Sequence, residues 1–260
     1  MAFDKCEHLE NLTLAINPNF KASQELENLT CFEHALNLKR LNLNGFKIKL
    51  TRQIVCLEHL THLNLDSCGI KQLPSNLFSH VLNLDELSFK GNHLCDLSGG
   101  IFENLTKLRA LNLSYNQLVI LNGRMFNGLS CVESIDFSYN FLSDINENSF
   151  WAMRKLKRLN FHRNFLKSLH LNTFKCQCDL EELILSFNKF TRMEDMFFMH
   201  LKSNSKSLYM LKLDMNRFIE WSIKPEFFHG YDNLKALYLG ETIFSSSKLP
   251  NNTRCSRLNG

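Results

Sequence analysis

Residues 108–118 read Leu-Arg-Ala-Leu-Asn-Leu-Ser-Tyr-Asn-Gln-Leu. Apolar side chains fall at Leu108, Leu111, Leu113 and Leu118, with Asn116 before the last of them. Leu111 and Leu113 alternate as on a strand, where successive side chains point to opposite faces. Asn116 stands where the chain must turn away from that strand. Its amide can both donate to and accept from backbone groups that a sharp turn leaves unpaired.

The phrase repeats along the chain. Leu84, Leu87, Phe89, Asn92 and Leu94 form the copy before it, and Val132, Ile135, Phe137, Asn140 and Leu142 the copy after. Leu156, Leu159, Phe161, Asn164 and Leu166 follow, then Leu180, Leu183, Leu185, Asn188 and Phe190. Looser copies begin at Leu9, Leu38, Leu60, Leu208 and Leu234. Between the phrases Phe78, Phe102, Phe126, Phe150, Phe174 and Phe198 recur every 24 residues. A fixed period of this size means stacked coils, each too small to bury its own apolar face. The prediction is one α/β-type solenoid over residues 1–260, with about ten coils between residues 9 and 244. Short parallel strands line its inner face and irregular segments its outer side. Asn92, Asn116, Asn140, Asn164, Asn188 and Asn216 are expected to form a structural ladder along the stack. A second apolar pair, Leu121 with Phe126 and Leu97 with Phe102, fills the outer half of the core.

This phrase resembles the 24-residue variety of the leucine-rich repeat family. The resemblance implies a curved horseshoe, with closely spaced strands on the concave side and bulkier segments forcing the bend. The run Ile-Phe-Glu-Asn-Leu-Thr-Lys-Leu-Arg-Ala-Leu-Asn-Leu-Ser-Tyr-Asn at 101–116 is similar to the ectodomain coils of Toll and Toll-like receptors. That likeness implies an innate-immune or developmental receptor whose solenoid binds a protein or microbial ligand and dimerises. Signalling would belong to a separate membrane helix and cytoplasmic domain. Adhesion and matrix proteins use the same coil, and so do cytosolic scaffolds, so both readings stay open.

The ends depart from the phrase. Cys68, Phe46 and Thr242 take the asparagine place in their units. The intervals from Leu9 to Leu38, Leu38 to Leu60 and Leu180 to Leu208 are 29, 22 and 28 residues. Ser203–Ser207 is the expected projecting loop.

A net charge of +4 gives no bulk argument for nucleic acid, which needs a concentrated basic face. Four prolines and ten glycines exclude a disordered or collagenous chain. No run reaches the ~20 apolar residues of a membrane helix. The opening Met-Ala-Phe-Asp-Lys-Cys-Glu-His is too polar for a signal peptide. Extracellular members of the family carry cysteine-clustered caps, and none is visible. The expectation is therefore a fragment, lacking its caps, of a parent on the extracellular face of a membrane, attached only through a missing segment.

Nine cysteines, with Cys176 and Cys178 the one close pair, do not make a zinc pattern. Either of the two could pair with a neighbouring coil's Cys131, and Cys68 reads as a buried small apolar group. No cofactor or metal is expected. Glycosylation sequons occur at Asn11, Asn28, Asn104, Asn112 and Asn251, with Asn104 in a loop and Asn112 on a strand. No nucleophile–base spacing, phosphate-binding glycine loop or His-Glu-x-x-His occurs, so no enzyme is expected.

Function then falls to strand residues facing away from the core, at the second, third, fifth, seventh and eighth places. The eighth places read Tyr115, Tyr139, Arg163, Phe187 and Met215. Arg158 and His162 make the adjoining coil basic. Aromatics and arginine dominate binding hot spots. Tyr115, Tyr139, Arg158, His162, Arg163 and Phe187 are the candidate partner-binding residues. Packing beside the turn, and ion pairing between neighbouring coils, are the competing roles for these positions.

Overall fold

A computed structural model describes residues 6–14, 25–26, 32, 34–50, 54, 57–97, 99–192, 201, 207–218 and 228–240. Positions 203–206, Phe198 and Thr242 lie outside the described residues. Fourteen short strands are present among the described residues. They are β1 (Asn11–Thr13), β2 (Glu25–Leu26), β3 (Arg40–Asn42), β4 (Lys47–Ile48), β5 (His62–Asn64), β6 (Glu86–Ser88) and β7 (Ala110–Asn112). Then come β8 (Ile120–Leu121), β9 (Ser134–Asp136), β10 (Asp144–Ile145), β11 (Arg158–Asn160), β12 (Glu182–Ile184), β13 (Met210–Lys212) and β14 (Ala236–Tyr238).

Ten of these form a single sheet in the order β1-β3-β5-β6-β7-β9-β11-β12-β13-β14. Every pairing within it is parallel. Register follows the repeat: Leu87 faces Leu111, Leu111 faces Ile135, and Ile135 faces Leu159. The architecture is a parallel-sheet solenoid. Two further two-stranded pairs, β8 with β10 and β2 with β4, lie outside that sheet.

The core is layered by the period. The middle residue of each three-residue strand from β3 to β13 is buried, as are the flanking leucines and phenylalanines of the phrase. Phe78, Phe102, Phe126, Phe150 and Phe174 form a spine, with successive centroids 6.2, 6.3, 6.3 and 5.9 Å apart. Burial of each such ring contributes roughly 1.5–3 kcal/mol. Each coil therefore rests on the next through identical side chains, and no single coil would be stable alone.

Asparagines bind the coils together at the turn. Asn92 Nδ2 donates to the carbonyls of Leu65 and Phe89 at 2.8 and 2.9 Å. Its Oδ1 accepts from the amides of Cys68 and Ile70 at 3.0 and 2.9 Å. Asn116, Asn140, Asn164, Asn188 and Asn216 likewise donate to a carbonyl of the coil before and accept from an amide there. All six are buried. Cys68 occupies the equivalent place, and its thiol donates to Leu43 O at 3.2 Å. Phe46, at the same place one coil earlier, is buried too.

Close approach fixes one glycine. Gly128 has φ 93°, and a Cβ there would stand 2.3 Å from the Glu103 carbonyl oxygen.

Candidate functional site: the turn flank of the sheet

The backbone immediately before each buried asparagine place is left-handed. Gly45, Ser67, Gly91, Tyr115, Tyr139, Arg163, Phe187 and Met215 all have φ between 53° and 85°. This conformation disfavours any side chain with a Cβ and is the default place for glycine. The reason for it is a hydrogen bond. Each of these amides donates to the seventh-place carbonyl of the following coil, as Tyr115 N does to Ser138 O and Tyr139 N to His162 O, both at 2.8 Å.

Glycine is used at two of the first three such places, whereas the next five carry long side chains. Tyr115, Tyr139, Arg163 and Phe187 form a column. Tyr115 and Tyr139 stack with centroids 4.1 Å apart. The Arg163 guanidinium lies over the Tyr139 ring at 5.5 Å and over Phe187 at 4.3 Å. Lys90 Nζ lies over the other end, 5.4 Å from the Tyr115 centroid. A hydrogen bond between the two phenols pushes the Tyr115 hydroxyl above its ordinary value. Tyr115, Tyr139 and Arg163 are exposed, and Phe187 is half-buried.

His162 sits edge-on between Tyr139 and Phe187, at 5.4 and 5.0 Å. Burial first, and then the neighbouring Arg163 charge, hold its imidazole below the ordinary histidine value. Arg158 stands exposed on β11, facing Ser134 and Glu182 in the register. The structure thus brings Tyr115, Tyr139, His162, Arg163 and Phe187 into one cluster, with Arg158 apart on the strand face. No ion pair among the described residues includes Arg158 or Arg163.

Ion pairing runs instead along the second places. Lys157 donates to Glu133 at 2.9 Å, Arg109 meets Asp85 at 3.2 Å, and Lys39 meets Glu10 at 2.7 Å. The Lys157 ammonium holds the Glu133 carboxyl below its usual range. An open cleft of about 780 Å³ runs beside this row, between Lys39 and Lys155. In the same region His62, Asp85 and Glu86 hold ligand-type atoms within 4.8 Å of one another. Asp85 is already engaged by Arg109 there.

Not every seventh place faces outward. Ser114, Ser138 and Ser186 are buried, which corrects the expectation that these positions are exposed. Sequence reasoning also missed a second column at the tenth places. Phe141 and Phe165 stack there at 5.9 Å, and Lys189 Nζ lies 4.2 Å over Phe165. Phe141 is 50% exposed and Phe165 37%. Reading tenth places at the 24-residue period would have found them.

Among the sequons, Asn11 and Asn104 are exposed. Asn112 is half-buried on β7, with its Oδ1 accepting from the Ser114 amide at 3.0 Å and hydroxyl at 2.7 Å. Asn28 and Asn251 lie outside the described residues. Cys6, Cys68, Cys95, Cys131, Cys176 and Cys178 are free thiols, so Cys131 is not joined to Cys176 or Cys178. No helix among the described residues is long and apolar enough to cross a membrane.

Residues 58–118, 115–166 and 132–190 match the leucine rich repeat family. No curated protein sequence matches the chain significantly. Similar solved structures include the TLR13–ssRNA13 complex, 27% identical with a TM-score of 0.72 over 84% of this chain and 31% of that one. A leucine-rich repeat protein of Leptospira interrogans is 25% identical, with a TM-score of 0.78 over 93% of this chain and 57% of that one. The Toll–Spatzle complex of Drosophila is 21% identical, with a TM-score of 0.71 over 95% of this chain and 35% of that one, and shows the fold alone. This chain spans between 31% and 57% of the length of these structures.

Proposed function

The chain belongs to the leucine-rich repeat family, and from that premise we propose that it is a ligand- or protein-binding module of a Toll-like receptor ectodomain. In this reading residues 1–260 are one solenoid of about ten coils, bent into a horseshoe and displayed on the extracellular face of a membrane parent. The parent binds a protein or microbial ligand for innate immune recognition and pairs with a second copy. Its glycans sit at Asn104 and Asn11, and at Asn28, Asn112 and Asn251 where the local backbone admits them.

The observation that carries the binding role is the column Tyr115–Tyr139–Arg163–Phe187, exposed at its first three members. Its bulky residues occupy left-handed positions, where strain is tolerated at sites that have something to do. His162 belongs to the same cluster, and Arg158 adds a separate exposed cation on the strand face of the same coil. The 27% identity to TLR13 supports the receptor reading over the matrix one. The test is cross-linking of the full-length protein to its partner at native expression, comparing wild type with the double variant Arg158→Glu, Arg163→Glu. The reading expects the cross-linked species to be lost while the melting temperature stays unchanged. Its retention would remove the patch from the partner site.

A second reading is a scaffold in a reducing compartment, favoured by six free thiols among the described residues. Glycan on Asn104 in protein from its native source would exclude it.

A further inference from the structure

We propose that the turn flank of this solenoid, built from the eighth- and tenth-place columns together, docks an extended acidic segment of a partner protein. This deepens the binding reading above and rests on it.

The two columns share one flank. The eighth and tenth places lie on either side of the buried asparagine, and both of them present side chains to solvent at Tyr115, Tyr139, Phe141 and Phe165. Large apolar exposure of this kind, continuous across coils, is unusual for a soluble surface and marks an interaction site.

The cations choose the charge of the partner. Arg163 and Lys189 lie inside the columns, over rings. Among the described residues no Asp or Glu occupies an eighth or tenth place; Lys47, His93, Lys189 and Arg217 are among the tenth-place residues. A flank whose described eighth and tenth places carry cations and no carboxylates, with Asp136 and Asp214 only at neighbouring places, is complementary to an acidic chain.

Ring geometry chooses a polypeptide over stacked bases. Single-stranded nucleic acid binds aromatic platforms by laying bases on open ring faces. Here three of the rings already carry two partners. Tyr115 lies between Lys90 and Tyr139, Tyr139 between Tyr115 and Arg163, and Phe165 between Phe141 and Lys189. At those three rings the edges remain for a partner, and edges carry the positive end of the aromatic quadrupole. Positive edges beside cationic heads suit carboxylates and backbone carbonyls. The repeat of one coil per step also suits a partner in extended conformation, whose side chains meet successive coils.

The experiment measures binding of a short labelled peptide in which Glu and Leu alternate, using fluorescence anisotropy on the intact chain. Its comparators are the same peptide with Gln for Glu, and single-stranded oligouridylate. The proposal expects binding to the Glu peptide that weakens with salt, and roughly tenfold weaker binding for the Gln peptide and for Lys189→Glu. Phe165→Ser, read beside an unchanged circular dichroism spectrum, should weaken it similarly. Equal binding of both peptides, indifference to Lys189→Glu, or tighter binding of oligouridylate would overturn the proposal. The two readings separate in the cross-linking assay. A partner lost with Arg158→Glu but kept with Lys189→Glu and Phe165→Ser sinks only the flank, whereas a partner indifferent to every variant sinks the binding patch itself.

Discussion

Tyr115 and Tyr139 face each other 4.1 Å apart with planes 10° from parallel, and both stand on left-handed backbone at φ 55°. The two facts oppose each other energetically. A side chain in this conformation costs roughly 1–2 kcal/mol relative to the right-handed form. An aromatic pair returns about 0.5–1.5 kcal/mol beyond its burial. The two positions together cost about 2–4 kcal/mol, so the stack offsets only part of its own strain, and stability does not explain why tyrosine is there.

That balance predicts an ordering of variants. Tyr139→Ala keeps the strain and loses the stack, while Tyr139→Gly loses both. Tyr139→Gly should melt higher than Tyr139→Ala by the equivalent of about 1 kcal/mol. Thermal unfolding of the two variants checks this. If alanine proved the more stable, the left-handed turn would not be the constraint on this column.

The asparagine places give the opposite expectation, a large loss. Asn140 Nδ2 donates to Leu113 O and Phe137 O at 2.9 and 3.0 Å, and its Oδ1 accepts from the Leu118 amide at 3.0 Å. Asn140→Ala strands backbone groups of two coils, at about 1–3 kcal/mol for a buried group left unpaired. Asn140→Cys should be milder, because the Cys68 thiol makes the corresponding donation to Leu43 O. Urea unfolding measures both. Equal midpoints for wild type and Asn140→Ala would show the ladder to be dispensable.

Cys68 is built in the same way and should be chemically silent. Burial pushes its thiol up to about 12, so little thiolate exists at neutral pH. Cys95 and Cys178 are exposed. Alkylation of the native protein followed by peptide mass analysis should label those two and spare Cys68 until denaturant is added. Prompt native labelling of Cys68 would mean that the turn between the coils opens readily.

The sheet and the phenylalanine spine were legible because each depends only on residue type at a fixed interval. Leu111 must meet Ile135, and Phe102 must meet Phe126, whenever coils of equal length stack. The flank was less legible because it depends on backbone angle. Nothing in the letters Ser-Tyr-Asn states that the tyrosine is left-handed or that Ser114 and Ser138 are buried. The tenth-place rings escaped because the repeat phrase leaves that position free, so Phe141 and Phe165 carried no pattern within a single coil. The free position is where coils differ, and differences between coils are what a partner can read.

His162 links the flank to pH. Its ordinary value is 6.5, and in the fold burial lowers it first and Arg163 next, with Lys212 acting the same way and Asp214 and Asp136 opposing. The unfolded chain therefore takes up a proton at a higher pH than the native one does. Where the unfolded state binds more protons, stability rises with pH. The contribution is fully present above 6.5, and is lost as pH falls from there toward the depressed native value. Below that value both states are protonated and the loss stops growing. Urea midpoints measured across this window should fall with acidification in the wild type and fall less in His162→Gln. Protonation would also place a second cation beside Arg163, between the rings of Tyr139 and Phe187. Acidic-peptide binding should accordingly tighten as stability declines, until the peptide's own carboxylates begin to take up protons. Parallel pH profiles for the wild type and His162→Gln would remove this histidine from both effects.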